Sequence, residues 1–114
     1  MSIEGDAAVK PEIMRSIEGL EPALREFLAW ADAQFGTRPK DGRWKLAHLA
    51  PEIVELIENP VPDEFVDCLG LLVHAAACYD IRLAEAIRQK LPLLRARRWN
   101  RPDANGVVEH VREP

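Results

Sequence analysis

The sequence predicts an all-α fold, a bundle of four to five helices. One reason is that apolar residues recur at spacings of three and four between Ile13 and Phe35, which is the stripe of a long amphipathic helix. Another is the almost uninterrupted apolar run VDCLGLLVHAAAC, from Val66 to Cys78. No segment alternates apolar and polar residues strongly enough to predict a sheet, so helices joined by short loops account for the pattern.

The first helical stripe contains Pro22, which either kinks the helix or restarts it as a first-turn proline after Glu21. Gly36 is expected to end this stripe, because glycine suits the residue that follows a helix. The segment GTRPKDGR that follows carries the turn residues Gly, Pro and Asp, and predicts a loop.

A second helix is predicted over about Trp44–Glu58, ended by the two prolines of the segment 59–62. Its predicted inner face consists of Leu46, Leu49, Ile53, Leu56 and Ile57. A third helix should begin with Asp63 as its N-cap and run to about Tyr79. Because this helix is apolar nearly all round, we expect it to be the central and most buried one.

A fourth helix is predicted from about Ile81, where four apolar residues fall in register. They are Leu83, Ile87, Leu91 and Leu94. Pro92 is expected to kink or restart this helix. Beyond Trp99 the tail predicts a turn followed by a short strand or an extended arm.

The length of 114 residues predicts one domain over 1–114. It divides into an N-terminal helical region and loop (1–43), a helical segment with most of the candidate functional residues (44–99) and a tail (100–114). The polar N-terminus does not resemble a signal peptide and no apolar run is long enough to span a bilayer, so we expect a soluble cytoplasmic protein. Cys68 and Cys78 would lie roughly 15 Å apart on one helix, and are therefore expected to be core thiols rather than a disulfide.

Charge is distributed unevenly along the chain, although its net value is only -4. Every charged residue from Leu46 to Asp67 is acidic, whereas the segment Arg82 to Arg101 contains seven basic residues and one acidic residue, Glu85. The basic segment is either a solvated helix face or an anion site. A nucleic-acid partner would use the same arginines, but the acidic centre argues against it.

Two pairs of carboxylates stand three residues apart on consecutive predicted helices, Glu52 with Glu55 and Glu64 with Asp67. Residues three apart share a helix face, and the proline turn lets the two pairs face each other. Because two carboxylates about 5 Å apart repel by roughly 3 kcal/mol at an effective dielectric of 20, a cation is expected between them. Oxygen ligands in this number suit Mg²⁺ or Mn²⁺. The alternative is that these carboxylates complement helix dipoles and stay solvated.

Other residues near the carboxylates have an open interpretation. His48 and His74 are favoured as partners of the acidic residues or ordinary helix histidines, since hard cations prefer oxygen. Three tryptophans are candidates for stacking on a purine: Trp30, Trp44 and Trp99. Trp99 is the better candidate, and Trp30 is equally consistent with a core or subunit contact. Lys45 is interpreted as a solvated lysine, with phosphate contact as the alternative.

The combination of ExxE, then ExxD, then LAEAIRQKL resembles the MazG-like all-α nucleotide pyrophosphohydrolases. The ending RARRWNRPDANGVVEHVR resembles the signature of a phage and bacterial dATP/dGTP diphosphohydrolase branch. The resemblance runs from about Lys45 to Glu113. It implies the fold of the all-alpha NTP pyrophosphatases and a homodimer or homotetramer, in a bacterial cell or phage-infected host.

The resemblance also implies an activity and its residues. A nucleoside triphosphate, of purine type, would be converted to the monophosphate and pyrophosphate, in nucleotide pool control or in the supply of modified DNA bases. The implied residues are Glu52 and Glu55 for catalysis, these two with Glu64 and Asp67 for Mg²⁺ (or Mn²⁺), Lys90, Arg97 and Arg98 for phosphate, and Trp99 with Trp30 for the base.

The chain departs from the family pattern at three positions. Pro51 stands where many members have a glutamate, Leu94 where they have an asparagine, and Pro92 is expected to rotate the end of the last helix and move Arg97 to Trp99. Pro51 and Leu94 motivate an alternative, a catalytically degenerate nucleotide-binding or purely structural helical oligomer.

Overall fold

The computed structural model describes residues 8–112, and within that range it is helical without a strand longer than an isolated bridge. Its helices are α1 (Pro11–Ile17), α2 (Leu20–Phe35), a 3₁₀ turn (Pro39–Asp41), α3 (Gly42–Glu58), α4 (Pro62–Cys78) and α5 (Leu83–Ala96). The all-α prediction is confirmed. The chain forms two compact units, one ending at Asp80 and one beginning at Ile81. The polar N-terminal residues 1–7 and the last two residues lie outside the described range.

The long amphipathic stripe is divided into α1 and α2. The chain breaks after Ile17 and restarts at Leu20, so Pro22 lies in the first turn of α2, where its missing N–H leaves no helical bond unmade. Gly36 ends α2 with a φ of 81°, a conformation that glycine adopts without the steric penalty of a side chain. The stop at Gly36 was predicted, and of the two alternatives at Pro22 the structure has the restart, two residues earlier than expected.

The helices α3 and α4 form a hairpin and pack against each other through a three-residue connection. α3 begins at Gly42, inside the predicted loop, and continues through Pro51 to Glu58. The predicted N-cap of α4 is wrong: Val61 occupies that position and Asp63 lies in the first turn. The reason is Pro62, whose fixed φ and absent N–H suit the first helical position.

α4 is the central helix of the first unit, as predicted. Its buried residues are Cys68, Gly70, Val73, His74, Ala75 and Cys78. Gly70 has a specific packing role, because a Cβ there would lie 2.5 Å from Cζ of Phe27. The absence of a side chain therefore lets the Phe27 ring of α2 rest on the backbone of α4.

Much apolar surface remains exposed in the described residues, and the predicted inner face of α3 is only partly correct. Leu49 and Leu56 are half-buried, but Ile57 is 75% exposed. Packing on α4 covers one side of α3, so the remaining apolar positions face outward. Cys68 and Cys78 are free and buried, consistent with core thiols. Within residues 8–112 no helix has the length and apolar character that crossing a membrane requires.

The second unit consists of α5 and the tail. α5 runs through Pro92 as one helix, so the predicted alternative of a restart at Pro92 is wrong. After it, Trp99 and His110 form an isolated antiparallel bridge, and the Asp103 side chain accepts hydrogen bonds from the backbone N–H groups of Asn105 and Val107 in the intervening turn. The predicted turn and extended arm are present, with a single bridge in place of a strand.

Candidate active site

Three carboxylates of the α3–α4 hairpin converge. Glu52 comes from the middle of α3, and Glu64 and Asp67 come from the first turns of α4. One oxygen from each of the three lies within 4.8 Å of the others. The convergence follows from the sequence, because the short connection turns α4 back along α3 and the spacing of three places Glu64 and Asp67 on one face.

Two oxygens of this acidic cluster (Glu52, Glu64 and Asp67) are buried without a hydrogen-bond partner among the described residues. They are Oε2 of Glu52 and Oε2 of Glu64. The other oxygen of Glu52 lies 3.3 Å from Nε2 of His48, one turn earlier on α3. A buried polar atom left without a partner is costly, and native proteins rarely keep one unless something outside the fold binds it.

The electrostatics of the acidic cluster favour bound protons or a cation. The pKa of Glu52 is raised, first by a hydrogen bond with the Glu55 carboxyl and then by burial and the charges of Glu55 and Asp67. The pKa of Glu64 is raised by burial and by the charges of its acidic neighbours. Concentrated negative charge without a counter-ion therefore destabilises the ionised forms.

Glu55 differs from the other three carboxylates. It is exposed and does not belong to the group that converges within 4.8 Å, but it lies close enough to raise the pKa of Glu52, and its charge also contributes to the raised pKa of Glu64. The structure thus brings together three of the four predicted metal ligands and places the fourth beside them.

The donor set fits a hard divalent cation. It offers carboxylate oxygens from two helices, two of them buried and unpartnered, and no sulfur or imidazole nitrogen belongs to the converging group. Oxygen-only sets of this kind are what Mg²⁺ and Mn²⁺ prefer.

A cavity of about 310 Å³ in the first unit opens beside the acidic cluster. Glu52 and Asp67 line one part of it, and aromatic side chains line another. The Trp30 ring lies 5.8 Å from Phe27 and 5.6 Å from Phe35, the latter edge-on at 89°. These three aromatic residues form a wall beside the carboxylates, and Trp30, predicted for base binding, is part of it.

His74 connects this cavity to the loop after α2. Its Nε2 lies 3.0 Å from the Gly36 carbonyl and 3.4 Å from Oγ1 of Thr37, whose own hydroxyl donates to Asp32 at 2.6 Å. Both partners can only accept from the ring, so the proton resides on Nε2. His74 is 3% exposed and holds the loop against α4, which agrees with the interpretation as an ordinary helix histidine.

The predicted phosphate ligands lie in the second unit. Lys90 and Arg98 are exposed and Arg97 is half-buried. Burial and the positive charges of Arg97, Arg112 and Lys90 lower the pKa of His110. Lys90, Arg97 and Arg112 are therefore all close enough to His110 to influence its charge. The sequence analysis did not include Arg112 in this group of basic residues. Arg112 joins it through the pairing of Trp99 with His110, for which the sequence has no short-range signal.

Trp99 takes part in the folding of the tail. Its indole N–H donates to the Leu94 carbonyl at 3.3 Å, and its ring lies edge-on to His110 at 5.9 Å. The indole thereby satisfies a carbonyl at the end of α5 and anchors the returning tail. About half of the side chain remains exposed.

The sequence reasoning missed Phe27 and Phe35 as cavity residues. Phe35 was visible only as a member of an apolar stripe with helical spacing, which is typical of any core-facing helix, and Phe27 was not part of that predicted stripe. The signal that distinguishes Phe27 is Gly70, 43 positions later, and no local pattern connects the two.

Comparison with known proteins shows similarity to one family of enzymes. The family model for dATP/dGTP pyrophosphohydrolase matches residues 23–114. A dATP/dGTP diphosphohydrolase of cyanophage S-2L is 37% identical over 89 residues, covering 75% of this chain and 82% of that protein. The solved structure of a cyanophage S-2L MazG-like pyrophosphohydrolase, bound to dGDP and three catalytic Mn²⁺ ions per active site, matches with a TM-score of 0.65 at 35% identity, covering 80% of this chain and 91% of that one.

Proposed function

The chain belongs to the dATP/dGTP pyrophosphohydrolase family, and on that premise we propose that it hydrolyses dATP or dGTP to the monophosphate and pyrophosphate. The observation that carries this proposal is the acidic cluster, with its two buried unpartnered oxygens, beside an aromatic-lined cavity. Aromatic faces suit a purine ring, and carboxylates suit the cations that accompany a triphosphate.

Glu52, Glu64 and Asp67 would hold Mg²⁺ or Mn²⁺, with Glu55 as the fourth acidic residue. When bound, the cation neutralises phosphate charge and activates water as a nucleophile. Glu52 is oriented by His48 at 3.3 Å, and Glu64 is half-buried with one oxygen that has no partner among the described residues.

Glu55 is the proposed general base. It is exposed and outside the tightest group of oxygens, so it can accept a proton while its neighbours remain ligands. Glu55 follows Glu52 by three residues on α3, so its carboxyl would lie next to a water held at the metal site. The proton leaves water as the oxygen attacks the α-phosphorus, and pyrophosphate departs with the electron pair of the broken P–O bond.

The remaining binding roles are also proposals. Lys90, Arg97 and Arg98 would bind phosphate oxygens, supported by the positive charge concentrated around His110. Trp30 would stack on the base from the aromatic wall. Trp99 stays a prediction for base contact, with its ring edge already engaged by His110.

We also propose that the protein acts as a homodimer or homotetramer, with 1–114 as one catalytic domain. The support is the large exposed apolar side chains of the described residues, such as Ile57 at 75% and Trp44 at 64%. The proposed role is nucleotide pool control, or the supply of a monophosphate for modified DNA, in the cytoplasm of a bacterial cell or phage-infected host.

The test is release of pyrophosphate from each of the common ribo- and deoxynucleoside triphosphates, with Mg²⁺ or Mn²⁺. Glu55→Gln should lower kcat by about 10²–10⁴-fold. Glu58→Gln is the matched control, since Glu58 is exposed on the same helix and lies outside the acidic cluster. Monophosphate and pyrophosphate as sole products support the proposal. A folded protein that binds nucleotides but hydrolyses none would identify it as the degenerate relative.

A further inference from the structure

Lys45 occupies the boundary between the aromatic wall and the acidic cluster. It lies near the start of α3, is half-buried, and lines the same cavity as Glu52 and Asp67. It also lines a second cavity of about 430 Å³, shared with Arg38 and Trp44. The expected solvated lysine is therefore a cavity residue.

The ammonium of Lys45 is held by an aromatic face and no carboxylate. Its Nζ lies 4.3 Å from the ring centroid of Phe35. No salt bridge within 4.0 Å is formed by Lys45 in the described part of the chain. A cation–π contact engages the positive charge but leaves the N–H donors available for an anion.

The carboxylate best placed to pair with Lys45 is already occupied. Asp41 stands four residues before Lys45, a spacing that normally favours an ion pair. Asp41 instead accepts from Nε of Arg38 at 2.8 Å and from Nη2 at 3.5 Å. The Arg38–Asp41 pair therefore leaves the ammonium of Lys45 without a fixed counter-ion, over Phe35.

The register of α3 relates Lys45 to the proposed metal site. Lys45, His48 and Glu52 are three and four residues apart, so they follow one face of the helix and all line the cavity. Lys45 precedes Glu52 by seven residues, about 10 Å along the helix axis. Lys45 is thus on the aromatic side of the acidic cluster, where the nucleoside end of a nucleotide would lie.

We propose that Lys45 is a substrate-binding residue that donates a hydrogen bond to the phosphate which remains on the monophosphate product. This assignment rests on the proposed function, because it takes the aromatic wall as the base site and the carboxylates as the metal site. A nucleotide brings negative charge into a cavity that already holds Glu52 and Asp67, and Lys45 supplies the opposite charge on the nucleoside side.

The test compares Lys45→Met with Lys40→Met, an exposed lysine outside both cavities. For dGTP and dATP, Lys45→Met should raise KM about tenfold or more and change kcat much less, since the contact exists before and during reaction. The inhibition constant of dGMP should rise by the same factor, while that of pyrophosphate should stay within about twofold. Lys45→Arg should recover part of the loss, and Lys40→Met should match the wild type.

A second measurement uses the wild-type chain and does not depend on a variant that folds. With Mn²⁺ present, dGMP should protect Lys45, but not Lys40, from acetylation by an amine-reactive reagent, as followed by peptide mass spectrometry. Absence of protection would overturn the proposal, as would an unchanged KM in Lys45→Met or an equal weakening of dGMP and pyrophosphate. If the wild type hydrolyses no triphosphate, it is the proposed function that fails.

Discussion

Asp41 and the acidic cluster, both in the first unit, differ in what neutralises their negative charge. Asp41 is 4% exposed and is bound by the Arg38 guanidinium, which lowers the pKa of Asp41 even though burial opposes this. Glu52 and Glu64 are half-buried, have one unpartnered oxygen each, and have raised pKa values. The first carboxylate is neutralised inside the fold, whereas in the proposed function the others are neutralised by a bound cation.

This difference separates a structural acid from a functional one. Asp41 and Arg38 secure the start of α3 beside the 3₁₀ turn. The acidic cluster leaves like charges close together, which a fold does not keep for stability. We therefore expect variants of the acidic cluster to change binding and catalysis, and variants of Asp41 to change stability. The opposite pattern would contradict this distinction.

The largest expected effect is on catalysis. Glu64→Gln should lower kcat/KM for dGTP by about 100-fold or more, because it removes a proposed metal ligand, and even partners of ligands are worth 10–100-fold. Asp41→Asn should lose less than about tenfold. The measurement is pyrophosphate release with Mn²⁺ at neutral pH. Equal losses in the two variants would remove the distinction between these carboxylates.

The next effect is on thermal stability without metal. In protein stripped with a chelator, Glu64→Gln should raise Tm, since it removes an unpartnered buried charge, and Asp41→Asn should lower Tm, since it weakens the Arg38 pair. Differential scanning calorimetry at neutral pH measures both. A Tm that falls in Glu64→Gln as it does in Asp41→Asn would show that Glu64 is satisfied within the fold.

The two groups should also respond to pH with opposite signs. Arg38 lowers the pKa of Asp41 below its usual 3.8, so its stabilisation is present above pH 3.8 and is lost as the pH falls through the folded-state value. Burial raises the pKa of Glu64 above 4.5, so its cost is absent below pH 4.5 and grows as the pH rises through the folded-state value.

Melting curves across acidic pH check this expectation. The Tm advantage of Glu64→Gln over the wild type should vanish as the pH falls below 4.5, and the Tm deficit of Asp41→Asn should close only below pH 3.8. Differences that are independent of pH would mean that packing, rather than charge, separates the variants.

The smallest expected effect is at Asp63, the exposed neighbour of Glu64 in the first turn of α4. Asp63→Asn should lower the free energy of unfolding by about 0.3–1 kcal/mol through the helix dipole, with metal binding unchanged. Urea denaturation with and without Mn²⁺ measures it. A metal-dependent loss would extend the acidic cluster by one residue.

The sequence predicted those parts of the fold that depend on local chemistry. Gly36 ends α2 because glycine adopts a positive φ without a steric penalty. Pro22 in the first turn of α2, and the prolines near residue 60 that separate α3 from α4, act through the fixed φ and missing N–H of proline. The N-cap at Asp63 was predicted wrongly because Pro62 competed for the helix start. Ile57 was placed inward, although a helix stripe alone does not show which side has a partner.

For the candidate site, too, the contacts set by local spacing were predictable and the contacts between separate helices were not. The spacing of Glu52, Glu64 and Asp67 was enough to predict their convergence, since one hairpin relates them. The cation–π contact of Lys45 with Phe35 depends on how α2 approaches α3, which no spacing within either helix determines. The competition of Arg38 for Asp41 likewise depends on the 3₁₀ turn, which the sequence suggested only as a loop.

The most direct test of the central claim is Mn²⁺ binding without nucleotide, followed by the loss of the free Mn²⁺ signal in electron paramagnetic resonance. The acidic cluster should bind Mn²⁺ in the wild type and in Asp41→Asn, and binding should be lost or weakened by about 100-fold or more in Glu64→Gln. A wild type that leaves all Mn²⁺ free, or a Glu64→Gln variant that binds it as tightly, would contradict the assignment of the acidic cluster as the metal site.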